Sequence, residues 1–174
     1  MSKFSITRAN HVGLNVRSLP RAISFYTECL KLPLAYQFSA EGMTQEELGA
    51  WSMATGIPDQ KISAAMIALP NEVMIELIVY NSPKGDPDAN KGLQLPNPGT
   101  MHFAFEVDSL DALIESANAW EGGKEDDLEG KGRGMLEVLG KQKIPKGVMA
   151  GWMIGFMRGP DGELLEIFQR PDDA

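Results

Sequence analysis

Residues 11–23 read HVGLNVRSLPRAI, and residues 102–114 read HFAFEVDSLDALI. The two stretches match at the histidine and at later Val, Ser, Leu and Ile positions, always at an offset of 91 residues. Further along, the triplet IEL around Glu76 resembles the triplet LEI around Glu166, at an offset of 90 residues. Matches that keep their order and spacing indicate an internal repeat. The chain is therefore predicted to contain two modules of one fold.

Each repeat unit is predicted to begin with a strand and to continue into a helix. The opening segments HVGLNV and HFAFEV alternate apolar and polar residues, which is typical of a strand with one buried face. Ser18 and Ser109 follow these strands as helix N-caps, and each precedes an apolar stripe at helical spacing. Later in each unit, two strands flank a turn. These strands are expected at 62–69 and 73–80, and at 152–158 and 163–169.

The repeat also predicts the domain organisation. The segment between the two units is rich in Pro and Gly, which favours a linker. The expected boundaries are 5–81 for the first module, 82–99 for the linker and 100–172 for the second module.

Two segments do not fit the repeat. Segment 41–58 is an insertion in the first module, with a short helix opened by a capping box of Thr44 and Glu47. Segment 121–147 is expected to be a loop of the second module, because it begins with a run of glycines and charges. Each segment is either a surface insertion without a role in binding or a cover of a pocket. The second alternative is considered because loops often carry substrate contacts. The predicted substrate contacts in them are Trp51, Met53 and Lys146.

Composition excludes several classes of protein. The net charge is −8, from 24 acidic and 16 basic residues, which disfavours general binding to nucleic acid. The single cysteine, Cys29, excludes an intramolecular disulfide and a thiolate-cluster zinc site. No window approaches the ~20 consecutive apolar residues of a membrane helix, and the first residues lack the apolar run of a signal peptide. We therefore expect a cytoplasmic protein that binds neither nucleic acid nor membranes.

Four residues carry the chemistry of the repeat. The two histidines of the chain, His11 and His102, fall at the same position of the two units. Glu76 and Glu166 each lie inside an apolar strand, where an unpaired carboxylate is costly, and these strands offer no Arg or Lys as a partner. Two imidazoles and two carboxylates suit one divalent metal ion such as Ni²⁺, Co²⁺, Zn²⁺, Mn²⁺ or Fe²⁺. A structural ion pair or exposure at a sheet edge is the alternative interpretation of the glutamates.

The chain resembles the vicinal oxygen chelate superfamily, which includes glyoxalase I, methylmalonyl-CoA epimerase, extradiol dioxygenases and the fosfomycin and bleomycin resistance proteins. The resemblance runs from about residue 8 to residue 171. The matching stretches are NHVGLNVRSLPRAISFYTECLKLPL, MIELIVYNSP, GTMHFAFEVDSLDALI and GPDGELLEIFQRP. The resemblance implies an α+β fold of two βαβββ modules in tandem, with a curved, partly closed mixed sheet around a metal site. It assigns the metal ligands to His11, Glu76, His102 and Glu166.

This ligand set is that of glyoxalase I, whereas methylmalonyl-CoA epimerase usually has an amide at the position of Glu76. The resemblance therefore implies metal-assisted proton transfer next to a carbonyl, in which the ion stabilises an enediolate as a Lewis acid. Glu166 is the expected base and Glu76 its counterpart. The reaction is that of a glyoxalase-like lyase or isomerase, or of an epimerase.

Two further functions stay open. A ring-cleaving Fe²⁺ dioxygenase would use an additional histidine for proton transfer, and both histidines here are already assigned as ligands. A metal-free protein that sequesters a ligand, like the bleomycin resistance proteins, would not need all four ligands.

The substrate is expected to be a small molecule of unspecified structure. Asn15 and Glu106 share the strand parity of the two histidines, four residues along, and are predicted to contact it. The basic residues available for an anionic substrate are Arg8, Arg133, Lys143, Lys146 and Arg158. A homodimer is expected by analogy with the family, and the metal site is formed either within one chain or across the dimer.

Overall fold

The computed structural model describes residues 5–70, 72–86, 96–123 and 137–171. The chain divides into two compact units, one of residues 1–27 and 31–86 and the other of residues 28–30 and 87–174. In these described residues each unit has one four-stranded mixed sheet, and neither of these sheets is closed into a barrel. The predicted pair of βαβββ modules is confirmed.

The first unit has the order strand, helix and three strands. Its strands are β1 (His11–Asn15), β2 (Leu34–Ser39), β3 (Lys61–Ala68) and β4 (Met74–Ser82). Its first helix, α1 (Leu19–Ser24), continues as a π-helical segment (Phe25–Cys29). A 3-10 turn (Ala40–Gly42) and a second helix, α2 (Gln45–Thr55), lie between β2 and β3. In the sheet the strand order is β1-β4-β3-β2, with β1 parallel to β4 and the other pairs antiparallel.

The second unit repeats this topology. Its strands are β5 (His102–Val107), β6 (Glu137–Lys143), β7 (Met153–Arg158) and β8 (Leu164–Gln169). Its helices are α3 (Leu110–Ala119) and a 3-10 turn (Glu121–Gly123). The strand order is β5-β8-β7-β6, again with the first and last strands of the unit parallel.

The core of each unit lies between its helix and one face of its sheet. In the first unit α1 contacts β3 and β4, and Ala22 and Phe25 are buried with Ile75 and Leu77 of β4. Side chains alternate along a strand, so Glu76, between the two buried residues of β4, points to the opposite face. The same alternation applies on β8, where Leu165 and Ile167 are buried on either side of Glu166 in the sequence. The helix face therefore forms the core, and the other face carries the histidines and glutamates.

The strands predicted around the two turns are confirmed to within two residues at each end, but β2 and β6 are missed. Both are edge strands whose described residues are largely exposed, so apolar alternation is weak in them. The prediction of a loop over 121–147 is therefore wrong for Glu137–Lys143, which form β6, and its residues 124–136 lie outside the described ones.

The helix starts follow the predicted pattern in part. The capping box of Thr44 and Glu47 at the start of α2 is present. Ser109 caps α3 by accepting a hydrogen bond from the backbone N–H of Ala112 at 3.1 Å, whereas Ser18 stands at the N-cap of α1 without a side-chain cap. Among the described helices, none is long and apolar enough to cross a membrane.

Candidate functional site

The pairing of β1 with β4 brings the first histidine to the first glutamate. In the parallel register Gly13 lies opposite Glu76 and His11 lies opposite Met74. His11 and Glu76 are thus two residues apart along neighbouring strands and share one face of the sheet. The Nε2 atom of His11 lies 3.1 Å from Oε2 of Glu76.

The second unit repeats this arrangement. Ala104 lies opposite Glu166, and His102 lies opposite Leu164. The Nε2 atom of His102 lies 3.1 Å from Oε2 of Glu166. The exposed fractions also match, at 41% for both histidine side chains and at 14% and 15% for Glu76 and Glu166. The internal repeat therefore preserves a three-dimensional pair as well as a sequence pattern.

These pairs answer the question that the sequence leaves open about the glutamates. Each carboxylate is largely buried and has the imidazole of its own unit as its partner. A small residue stands opposite each glutamate, Gly13 in one unit and Ala104 in the other. A Cβ atom at Gly13 would make ordinary van der Waals contacts, at 3.5 Å from Cδ1 of Ile78 and 3.9 Å from Oε2 of Glu76.

One residue beside the first pair is missed by the sequence-based prediction. The Nδ1 atom of His11 lies 2.9 Å from Oδ1 of Asn10. When the proton of the His11 ring is on Nδ1 and is donated to this oxygen, the lone pair of Nε2 faces Glu76. A histidine that binds a metal ion through Nε2 has this tautomer. The residue before His102 is Met101, whose side chain offers no such acceptor. The signal in the sequence is an amide directly before the histidine, in one repeat only.

The geometry of each pair fits a divalent metal ion. An ion bound about 2.1 Å from two ligands at a right angle holds those ligands about 3 Å apart. Both His–Glu pairs have this separation. Within the described part of the chain no group of three or more His, Cys, Asp or Glu side chains is arranged to hold a metal. Each pair brings together two candidate donor groups, and the metal centre of four ligands stays a prediction.

The predicted substrate contacts are placed as follows, and their role stays a prediction. Asn15 is exposed on the His11 face of β1. Trp51 and Met53 are exposed on α2, which has no buried residue. Lys146 is exposed between β6 and β7. Of the other basic residues, Arg8 and Lys143 are exposed, Arg158 donates to the carbonyl of Gly162 at 3.3 Å, and Arg133 lies outside the described residues.

Glu106 has a partner that the sequence-based prediction misses. Its two oxygens accept hydrogen bonds from Nε and Nη2 of Arg170, at 2.7 and 3.1 Å. These bonds and the negative charge of Glu106 raise the pKa of Arg170 above its ordinary value. The guanidinium carbon lies 4.8 Å from the centre of the Trp152 ring. The predicted substrate contact is therefore one half of an ion pair.

Comparisons with known proteins match this fold. The sequence profile described as Glyoxalase/Bleomycin resistance protein/Dioxygenase superfamily matches residues 8–167. A 2-epi-5-epi-valiolone epimerase from Actinomyces sp. is 28% identical over 171 residues, which cover 95% of this chain and 80% of that protein.

Solved structures show the same fold. A glyoxalase family protein from Bacillus cereus superposes with a TM-score of 0.72 at 22% identity, over 97% of both chains. The fosfomycin resistance protein FosX from Listeria monocytogenes superposes with a TM-score of 0.54 at 15% identity, over 97% of this chain and 98% of the other. At these identities the structures support the architecture alone.

Proposed function

We propose that this chain, which belongs to the Glyoxalase/Bleomycin resistance protein/Dioxygenase superfamily, is an enzyme that moves a proton at a carbon next to a carbonyl group. The observation that carries the proposal is the pair of equivalent His–Glu contacts at 3.1 Å, one in each unit. Each contact places a carboxylate able to accept a proton beside an imidazole able to bind a metal ion.

The proposed cofactor is one divalent metal ion, namely Ni²⁺, Co²⁺, Zn²⁺, Mn²⁺ or Fe²⁺. The residues that would hold it are His11, Glu76, His102 and Glu166, because their donor atoms are the neutral imidazoles and carboxylates that such ions accept. When bound, the ion supplies Lewis-acid polarisation of the substrate oxygens. The four proposed ligands come together either within one chain or across a homodimer. We propose that the protein is a homodimer. Light scattering tests this, because it measures the molar mass in solution.

The glutamates are proposed to do the proton chemistry. Glu166 removes the proton from the carbon next to the carbonyl, and the electron pair of the C–H bond moves toward the carbonyl oxygen. Glu76 is the counterpart that returns a proton from its carboxylic acid form, and exchange with water then removes the proton from Glu166 and restores one to Glu76. Both carboxylates lie in apolar strands with low exposure, at 14% for Glu76 and 15% for Glu166, on the face of the sheet that carries the histidines.

Epimerisation is the form of this reaction that we favour. It requires that the proton leave one face of the carbon and return to the other, for which two carboxylates in equivalent settings are suited. The relative from Actinomyces carries the name of an epimerase of 2-epi-5-epi-valiolone, and the name denotes a ketone. We propose a ketone as the substrate of this chain as well.

A lyase or isomerase of the glyoxalase I type is the second candidate. The observation that favours it is the glutamate at position 76, since an amide is usual there in methylmalonyl-CoA epimerase. Both candidates begin with the same removal of a proton, so one experiment serves both.

The test is incubation of the metal-loaded protein in D₂O with 2-epi-5-epi-valiolone and, separately, with the glutathione adduct of methylglyoxal. NMR is expected to show deuterium entering at the carbon next to the carbonyl of one substrate, and the product identifies the reaction. The rate of exchange is expected to fall by a factor of about 10² to 10⁴ in the Glu166→Gln variant. Oxygen uptake with a catechol would instead identify a dioxygenase. Stoichiometric binding without exchange would identify a ligand-sequestering protein.

A further inference from the structure

The ion pair of Glu106 and Arg170 lies on the same face of the second sheet as His102 and Glu166. Glu106 is four residues beyond His102 on β5, and Arg170 is four residues beyond Glu166, one position past the end of β8. Even spacing along a strand keeps side chains on one face. At ~3.3 Å per residue, the backbone of Arg170 is ~13 Å from that of Glu166.

An aromatic surface connects the two places. Phe168 lies between Glu166 and Arg170 on this face, opposite Glu106 in the register. Its ring contacts Trp152 edge to face, with centroids 6.1 Å apart, and the Arg170 guanidinium lies over the Trp152 ring. Phe168 and Trp152 are both partly exposed. The face therefore runs from a reacting end at Glu166, across apolar rings, to a polar end at Arg170.

The polar end is electrically balanced. Arg170 has five N–H groups and uses two for Glu106, and the carboxylate keeps further lone pairs. Both side chains remain about half exposed, at 54% and 48%. The pair thus offers donors and acceptors side by side without a net charge. Hydroxyl groups, which donate and accept, match this surface, whereas a phosphate or carboxylate would meet the repulsion of Glu106.

We propose that Glu106, Arg170 and Trp152 form a subsite that binds the hydroxyl groups of an uncharged substrate, at the end of the substrate remote from Glu166. The subsite rests on the proposed function only for the location of the reacting end. It predicts an uncharged group of the substrate at this position, because Glu106 neutralises the charge of Arg170.

The test measures binding without turnover. The probes are myo-inositol, which is neutral and hydroxylated, and myo-inositol 1-phosphate, which keeps the ring and adds negative charge. The signal is the indole N–H resonance of Trp152 in an ¹H–¹⁵N spectrum, identified by its loss in the Trp152→Phe variant. We expect a saturable shift with myo-inositol at millimolar concentrations, and no tighter binding of the phosphate.

Two variants and one control make the test specific. Arg170→Gln removes charge-assisted hydrogen bonds and is expected to weaken myo-inositol binding about tenfold. Glu106→Gln leaves the arginine uncompensated and is expected to favour the phosphate over myo-inositol by about tenfold. Lys141→Gln breaks an exposed ion pair with Asp111 of α3 in the same unit and is expected to change neither affinity.

The proposal is overturned if myo-inositol does not shift the Trp152 signal, if Arg170→Gln binds it as well as the parent protein, or if the parent protein prefers the phosphate. The D₂O exchange assay is independent of these readouts. Exchange without inositol binding refutes the subsite alone, and inositol binding without exchange refutes the proposed reaction alone. With an active substrate, Arg170→Gln is expected to raise KM about tenfold and to change kcat little.

Discussion

The Nε2 atom of His102 lies 3.1 Å from a carboxylate oxygen of Glu166. The two residues are on neighbouring parallel strands, β5 and β8, which are the first and last strands of the second unit. The two residues are 64 positions apart in the sequence, and the register of β5 with β8 alone brings them together. His11 and Glu76 meet in the same way at the same distance. The repeated feature of the fold is therefore a His–Glu pair, and each pair is half of the proposed metal centre.

Removal of the charge of Glu166 tests its role as the base. Glu166→Gln keeps the shape of the side chain but cannot accept the substrate proton, so kcat is expected to fall by a factor of about 10² to 10⁴. The measurement is deuterium exchange into the substrate under saturating metal. Glu115→Gln, the same change at an exposed position of α3, is the matched control. Equal rates in the two variants would remove Glu166 from the mechanism.

Asn10 is expected to orient the first histidine of the proposed centre. Loss of the amide in Asn10→Ala removes the acceptor at 2.9 Å from Nδ1 of His11, and metal affinity is expected to fall about 10- to 100-fold. The measurement is the metal dissociation constant, obtained from a metal titration that is monitored by isothermal calorimetry. Met101→Ala is the control, because it changes the equivalent residue before His102 without removing a hydrogen-bond partner. Identical affinities in both variants would show that Asn10 does not position His11.

The start of α2 is expected to respond to acid. Glu47 accepts hydrogen bonds from the backbone N–H and the hydroxyl of Thr44, at 2.7 and 2.8 Å, and these bonds lower the pKa of Glu47. A lowered pKa in the folded state contributes stability that is complete above the ordinary value of 4.5 and is lost as the pH falls through the lowered one.

The measurement is the ¹³Cα chemical shifts of the residues of α2 at pH values from about 6 to about 2. This interval includes the ordinary pKa of a carboxyl group. The first turn of α2 is expected to lose helical shifts at the acid end. Glu47→Gln is expected to abolish this pH dependence, and Glu46→Gln, one residue earlier in the same turn, is expected to preserve it. A Glu47→Gln variant with an unchanged transition would contradict the assignment.

Gln60 carries a cost to stability. Its side chain belongs to a residue that is 1% exposed, and in the described part of the chain its amide oxygen and nitrogen have no hydrogen-bond partner. Because unsatisfied buried groups cost about 1 to 3 kcal/mol, Gln60→Met is expected to raise the free energy of unfolding by about 1 kcal/mol or more. Chemical denaturation measures it, with Gln45→Met on the exposed start of α2 as the control. A less stable Gln60→Met variant would show that the amide is satisfied in solution.

The repeat in the sequence predicts most of the fold because the helix and the central strands carry strong periodicity. HVGLNV and HFAFEV alternate clearly, and the turn at 159–162 is rich in Gly and Pro. The edge strands β2 and β6 lack such a pattern, since an exposed edge needs little apolar surface. The family resemblance is confirmed by the profile match over residues 8–167.

The four candidate ligands are also identifiable from the sequence, but their contacts are not. The His–Glu pairs depend on the register of strands that are distant along the chain, and that register is a tertiary property. Arg170 is missed for a related reason, because it lies just past the end of β8 and reaches Glu106 across the sheet. Asn10 is missed because it stands outside the repeated pattern.

Metal content is the most direct test of the central claim. Mass spectrometry of the protein purified without chelator, beside His11→Ala and His102→Ala variants, is expected to find about one Ni, Co, Zn, Mn or Fe ion per chain. Each variant is expected to lose that ion, because the two His–Glu pairs are proposed to share it. Parent protein that stays metal-free even after reconstitution, or variants that each retain a full complement of metal, would contradict the four-residue centre.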